Sequence, residues 1–266
     1  MAYGKYNTIN VTKEEQITTI VLSRPEKLNA LSPEMIDELD SVIPLIEKDK
    51  DTRAVVITGS GKAFSAGGDI ELDLIPVSKM NPMQWREYIK QFCMVVKGIY
   101  YMEKPVIAAI NGVTVGGGCD IAMACDIRIA SKKARFGYGY IKMGIISDMG
   151  GHFFLPRLVG RGKAKLFAFT GDLIDAMEAE RIGLVDKLVS EDDFNKEVKK
   201  VVEKIACGPT AAITLIKDAM EKSRSVNLDA SLDYAVNLQS ALLDSEDFRE
   251  GYTAFLEKRK PVFKGR

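Results

Sequence analysis

The chain has 266 residues, 46% hydrophobic and 28% charged, and 37 Lys+Arg balance 37 Asp+Glu to a formal net charge of zero. This is ordinary globular usage, which speaks against intrinsic disorder, and a neutral total gives no support to a nucleic-acid partner. No apolar run approaches the ~18–20 residues that cross a bilayer, and residues 1–30 carry no signal-peptide core, so a cytoplasmic protein without a membrane partner is expected.

Residues 17–23 (ITTIVLS) and 53–59 (RAVVITG) are rich in Val, Ile and Thr and end at turn residues, which predicts two strands. Between them, residues 32–48 open with Ser-Pro and an acidic first turn, a helix start with Ser32 as N-cap and Pro33 at the first helical position. A helix over about 83–102 precedes further strands at 105–110 (PVIAAI) and 127–130 (IRIA). Strand and helix alternating at this spacing predict an α/β layered domain over residues 1–190. Residues 191–266 change character. Helical apolar spacing recurs over 192–207, 210–222, 228–242 and 246–257, with no strand signal among them. This tail reads as a helical region that packs on its own core or on another subunit.

Cys93, Cys119, Cys125 and Cys207 form no CxxC pair and read as reduced thiols, and His152 is the sole histidine, so neither a metal site nor a Ser-His-Asp triad is expected. Two glycine clusters follow strands: Phe64-Ser65-Ala66-Gly67-Gly68-Asp69-Ile70, and residues 111–120 (NGVTVGGGCD) ahead of an apolar helix. Glycines at a strand end permit close backbone approach, and a helix N-terminus presents unpaired amides. Two such loops converging would hold a developing oxyanion between two N–H donors. The plainer alternative is tight turns alone. Neither cluster fits a dinucleotide or phosphate-loop pattern.

Residues 22–31 (LSRPEKLNAL), 62–70 (KAFSAGGDI), 104–131 (KPVIAAINGVTVGGGCDIAMACDIRIAS) and 254–266 (AFLEKRKPVFKGR), in that order, resemble the signature stretches of the crotonase, or enoyl-CoA hydratase/isomerase, superfamily. The resemblance implies a spiral ββα core with a C-terminal helical trimerisation region, in a homotrimer or dimer of trimers. It implies an acyl-CoA thioester as substrate and no separate cofactor, coenzyme A entering as part of the substrate. Gly68 and Gly117 would supply the oxyanion-hole amides. Lys27, Leu28, Ala30, Ala66, Asp69 and Ile70 would line the CoA channel, and Phe255 and Lys258 would reach a neighbouring subunit's CoA.

The departures bear on the chemistry. Hydratases of the family carry one Glu after the GGG loop and a second about twenty residues on; here those positions hold Asp120 and Tyr140, and Asp148 stands where many relatives have Gly. The set Asp120, Tyr140, Asp148 resembles the acidic trio of dienoyl-CoA isomerases with its middle member changed to Tyr. A carboxyl group in an apolar pocket has its pKa raised, which suits proton transfer near neutrality. Asp120 and Asp148 are therefore expected to position water and shuttle its proton, while Tyr140 donates a hydrogen bond or forms pocket wall. Asp120 as a helix cap and Asp148 as a turn residue are the structural alternatives. Trp85, Tyr138, Met143, Met149, Phe153 and Phe154 suggest bulky acyl lining, with some of them in the core. The expected activity is reversible hydration of a double bond conjugated to the thioester, of a bulky or cyclic enoyl or dienoyl group. A double-bond isomerase is the alternative, and a non-catalytic CoA binder a third.

Overall fold

The computed structural model describes residues 3–265. An antiparallel hairpin, β1 (Ile9–Glu14) and β2 (Ile17–Leu22), leads into α1 (Pro33–Lys48), whose Ser32 cap accepts from the Met35 amide with Pro33 in the first turn. The chain then repeats one pattern. β3 (Ala54–Gly59) is followed by the short β4 (Ala63–Ser65), a helical turn Ile70–Leu74, α2 (Ile75–Val77) and α3 (Pro82–Tyr100). β5 (Val106–Ile110) is followed by β6 (Val113–Val115) and α4 (Gly117–Ala124). β7 (Ile127–Ser131) is followed by β8 (Arg135–Gly137), then α5 (Gly151–Val159) and α6 (Arg161–Thr170). In each turn the first strand joins one sheet and the second joins another, parallel to its predecessor. The result is a ββα spiral with a six-stranded sheet ordered β1-β2-β3-β5-β7-β10 and a four-stranded sheet ordered β4-β6-β8-β9, where β9 is Leu173–Asp175 and β10 is Lys187–Val189. α7 (Ala176–Arg181) lies between these last two strands in sequence.

Parallel strands covered on both faces are apolar throughout. β3 shows how: Val55 and Ile57 enter the main core, while Ala54 and Val56 face α8 (Phe194–Ala206), whose Phe194, Val198, Val202 and Ala206 cover the other face. Side chains alternating with a period of two make this possible. α8, grouped by sequence with the helical tail, thus lies against the sheet. α9 (Thr210–Ser223), α10 (Leu228–Leu242) and α11 (Glu246–Leu256) are different. No side chain of α9 or α10 is buried, and Leu228, Leu232, Val236 and Phe255 are exposed. α9 is fastened by Lys217 to Asp126 at 2.8 Å and by the Tyr100 hydroxyl to Glu221. Among the described residues, no helix is long and apolar enough to cross a membrane.

The four longer predicted strands and all predicted helices are present, within a residue or two of their expected ends. The hairpin strand β1 and the three-residue strands were not expected from the sequence.

Candidate active site

The spiral brings the two glycine loops together because β4 pairs with β6. A Cβ placed on Gly118 would lie 2.5 Å from the Ser65 carbonyl oxygen, so the first turn of α4 packs backbone against backbone on the end of β4. Gly117 is the first residue of α4, a position whose N–H has no acceptor within the helix. Gly68 forms an isolated parallel bridge with Leu31. That bridge is made by the Leu31 amide to the Gly67 carbonyl at 2.7 Å and the Asp69 amide to the Leu31 carbonyl at 2.9 Å, which leaves the Gly68 amide outside it.

Both glycines line a cavity of about 960 Å³. Two helical faces supply much of its apolar wall. Ile70, Asp73, Leu74 and Val77 form one row, and Trp85, Tyr88, Ile89 and Phe92 form the other, each at i, i+3, i+4, i+7 spacing. Tyr140, Ser147, Asp148, Met149 and His152 also line it. Of the residues expected to line an acyl pocket, Trp85, Met143 and Met149 line this cavity. Tyr138, Phe153 and Phe154 do not: Phe153 and Phe154 stack with Tyr100, and Tyr138 packs behind Tyr140.

The acids divide. Asp148 lines the cavity, and no cation pairs with its carboxyl group among the described residues; burial raises its pKa, and Asp73 adds to the effect. Asp120 is 0% exposed and does not line the cavity. Its Oδ2 accepts from the Tyr140 hydroxyl at 2.6 Å and the Ser147 hydroxyl at 2.8 Å, and Oδ1 from the Tyr138 hydroxyl at 3.4 Å. Burial pushes Asp120 up to about 7, against the pull of those three hydrogen bonds. Tyr140 and Ser147 therefore stand between Asp120 and the cavity. Burial, followed by the Asp120 charge, holds the Tyr140 phenol well above its ordinary value.

The other expected binding residues scatter. Ala66 and Ile70 line the cavity. Asp69 does not: it caps the turn Ile70–Leu74 by accepting from the Glu71 and Leu72 amides, each at 3.0 Å, and pairs with Arg24 at 2.8 Å. Burial works to raise Asp69, but those amides and the guanidinium outweigh it and lower its pKa. Lys27 is exposed and pairs with Glu71 at 3.0 Å, Leu28 is exposed in a left-handed conformation, and Ala30 is buried. Phe255 and Lys258 are exposed at and beyond the end of α11. Sequence reasoning missed Asp73, Tyr88 and Ser147 and set His152 aside. The signal for the first two was present, since each lies in an apolar helical row.

The model of the enoyl-CoA hydratase/isomerase family matches residues 12–266. The chain belongs to that family. It is 40% identical over 255 residues to the short-chain-enoyl-CoA hydratase of Clostridium acetobutylicum, covering 96% of each chain. It is 39% identical to the crotonyl-CoA hydratase of Syntrophomonas wolfei, over 97% of this chain and 98% of the other. Among solved structures, the enoyl-CoA hydratase of Bacillus anthracis superposes with a TM-score of 0.92 at 34% identity, over 98% of this chain and 100% of that one. The crotonase fold expected from the motifs is the fold of this family member.

Proposed function

We propose that the protein reversibly adds water across a double bond conjugated to a CoA thioester. The observation that carries this reading is the meeting of Gly68, Gly117 and Asp148 in one cavity. In the proposed reaction the Gly68 and Gly117 amides hold the thioester oxygen as it gains charge, and fixed donors of this kind are worth roughly 2.7–4 kcal/mol each in barrier. Asp148 takes a proton from the attacking water. Tyr140 donates to Asp120, so its oxygen lone pairs are left to receive that water, and Asp120 acts through Tyr140 as a positioning residue. The names of the relatives favour a short acyl chain, whereas the cavity volume and the Trp85–Phe92 wall favour a wider one, cyclic rings included. The exposed apolar rows of α10 and α11 support a trimer or dimer of trimers, in which Phe255 and Lys258 meet a neighbour's CoA.

Product mass after incubation with crotonyl-CoA and a cyclohexenecarbonyl-CoA tests the reading. A gain of one water is expected on at least one of them, and Asp148→Asn should slow it by about 10²-fold or more. No water gained on either thioester would overturn it. Rearrangement at constant mass would favour a double-bond isomerase, the reading that two carboxyl groups in one cavity supports second.

A further inference from the structure

Hydration moves two protons, one off the water and one onto C2, and Asp120 is withdrawn behind Tyr140 and Ser147. The second carboxyl group lining the cavity beside Asp148 is Asp73. It is 8% exposed, and its Oδ1 accepts from the Tyr88 phenol at 2.6 Å. Its Oδ2 accepts no hydrogen bond from the described residues, and a Cβ placed on Gly68 would lie 3.0 Å from that oxygen. The free oxygen of Asp73 thus stands beside the residue proposed to hold the thioester. Among the described residues, no Lys or Arg lines the cavity to neutralise either acid.

We propose that Asp73 is a second proton-transfer residue of this cavity, working with Asp148 and positioned by Tyr88. The proposal deepens the hydration reading and rests on it. As the water oxygen bonds to C3, its O–H bond breaks and the proton passes to the Asp148 carboxylate. The π electrons move into the enolate, which then takes the carboxyl proton of Asp73 at C2. Asp73 is left ionised and Asp148 protonated, and one proton returning from Asp148 to Asp73 resets the pair with one water added. Charge surroundings suit the donor role. Burial raises Asp73, the Tyr88 hydrogen bond lowers it, and the nearby Asp69, itself paired with Arg24, raises it. Asp148, Tyr140 and His152 are the other titratable groups at the cavity.

The test uses the intact protein and two readouts: hydration rate, and exchange of the C2 hydrogens of saturated butyryl-CoA in D₂O, which needs enolate chemistry but no added water. Asp73→Asn should lower kcat for hydration and the exchange rate by about 10²-fold or more, with KM changed only a few-fold. Tyr88→Phe keeps the carboxyl but removes the bond that lowers its pKa, so Asp73 should stay protonated to higher pH and the alkaline limb of kcat should move up. A residue that only shapes the pocket would not move that limb. The proposal is overturned if Asp73→Asn keeps both rates within about threefold of wild type, if Tyr88→Phe leaves the limb in place, or if the wild type exchanges no C2 hydrogen. Wild-type exchange that Asp73→Asn abolishes, with no thioester hydrated, would refute hydration and keep the assigned role of Asp73.

Discussion

Replacing Asp120 by Asn should change how the stability of the protein depends on pH, and the size of the change follows from the buried network. Asn is nearly isosteric: its oxygen in the place of Oδ2 still accepts from Tyr140 and Ser147, and its amide faces Tyr138 in the place of Oδ1. What disappears is the charge. In the wild type, burial pushes Asp120 up to about 7 from an ordinary 3.8, so between those values the folded protein holds a proton that the unfolded chain has released. Stability must then fall as pH rises, because ionising the group costs more in the fold than in water. Its contribution is intact below the unfolded pKa and is lost as pH rises through the folded one. Working the linkage between about pH 5 and about pH 8 gives a loss of roughly 2–3 kcal/mol that Asp120→Asn does not suffer. Urea unfolding of both proteins at the two pH values, at one protein concentration, measures it. The variant should gain on the wild type by that amount as pH rises. An equal difference at both pH values would refute the reasoning, since it would mean that Asp120 does not titrate in the fold at a raised pKa.

Two further substitutions probe the same network. A Cβ on Gly151 would stand 1.8 Å from the Tyr138 hydroxyl and 2.2 Å from Asp120 Oδ1, atoms pinned by their own hydrogen bonds. Gly151→Ala should therefore destabilise by about 1–3 kcal/mol or more, read as a lowered thermal midpoint. Tyr140→Phe removes a 2.6 Å hydrogen bond to a buried carboxyl, and stability should fall by about 1–3 kcal/mol at neutral pH. In the hydration assay, Tyr140→Phe should lower kcat more than it raises KM, and an unchanged kcat would remove Tyr140 from the water-positioning role.

The parts of the fold legible in the sequence are those with enough length to show a period. β2, β3, β5 and β7 each have five or six residues of mostly β-branched or small apolar character, and α1 announces itself through Ser32 and Pro33. β4, β6, β8, β9 and β10 have three residues each, too few for any alternation to register. They become strands because the spiral lays them side by side. The site was legible to a similar depth. The resemblance to the family's motifs singled out Gly68, Gly117, Tyr140 and Asp148, which share one cavity, but it does not say which side chain stands in front of another. The Tyr140 and Ser147 hydroxyls stand in front of Asp120, and that order depends on how the one segment joining β8 to α5 folds over α4, not on any local motif. Asp73 was the opposite case: a carboxyl group inside the apolar series Ile70, Leu74, Val77 contradicts its own row, and that contradiction was readable.

The isolated bridge between Leu31 and Gly68 bears on which insertions the protein tolerates. α1 begins within two residues of Leu31, so the Gly68 amide is referenced to the start of a long helix by two backbone hydrogen bonds of 2.7 and 2.9 Å. The chain that leads up to it is held as well: β4 pairs with β6, Phe64 is fully buried, and the Asn29 and Asn111 side-chain amides both donate to the Ala63 carbonyl. A single residue gained or lost between Leu31 and Ser32, or within β4, would therefore move the amide. Evolution is held to one chain length on both sides of this bridge.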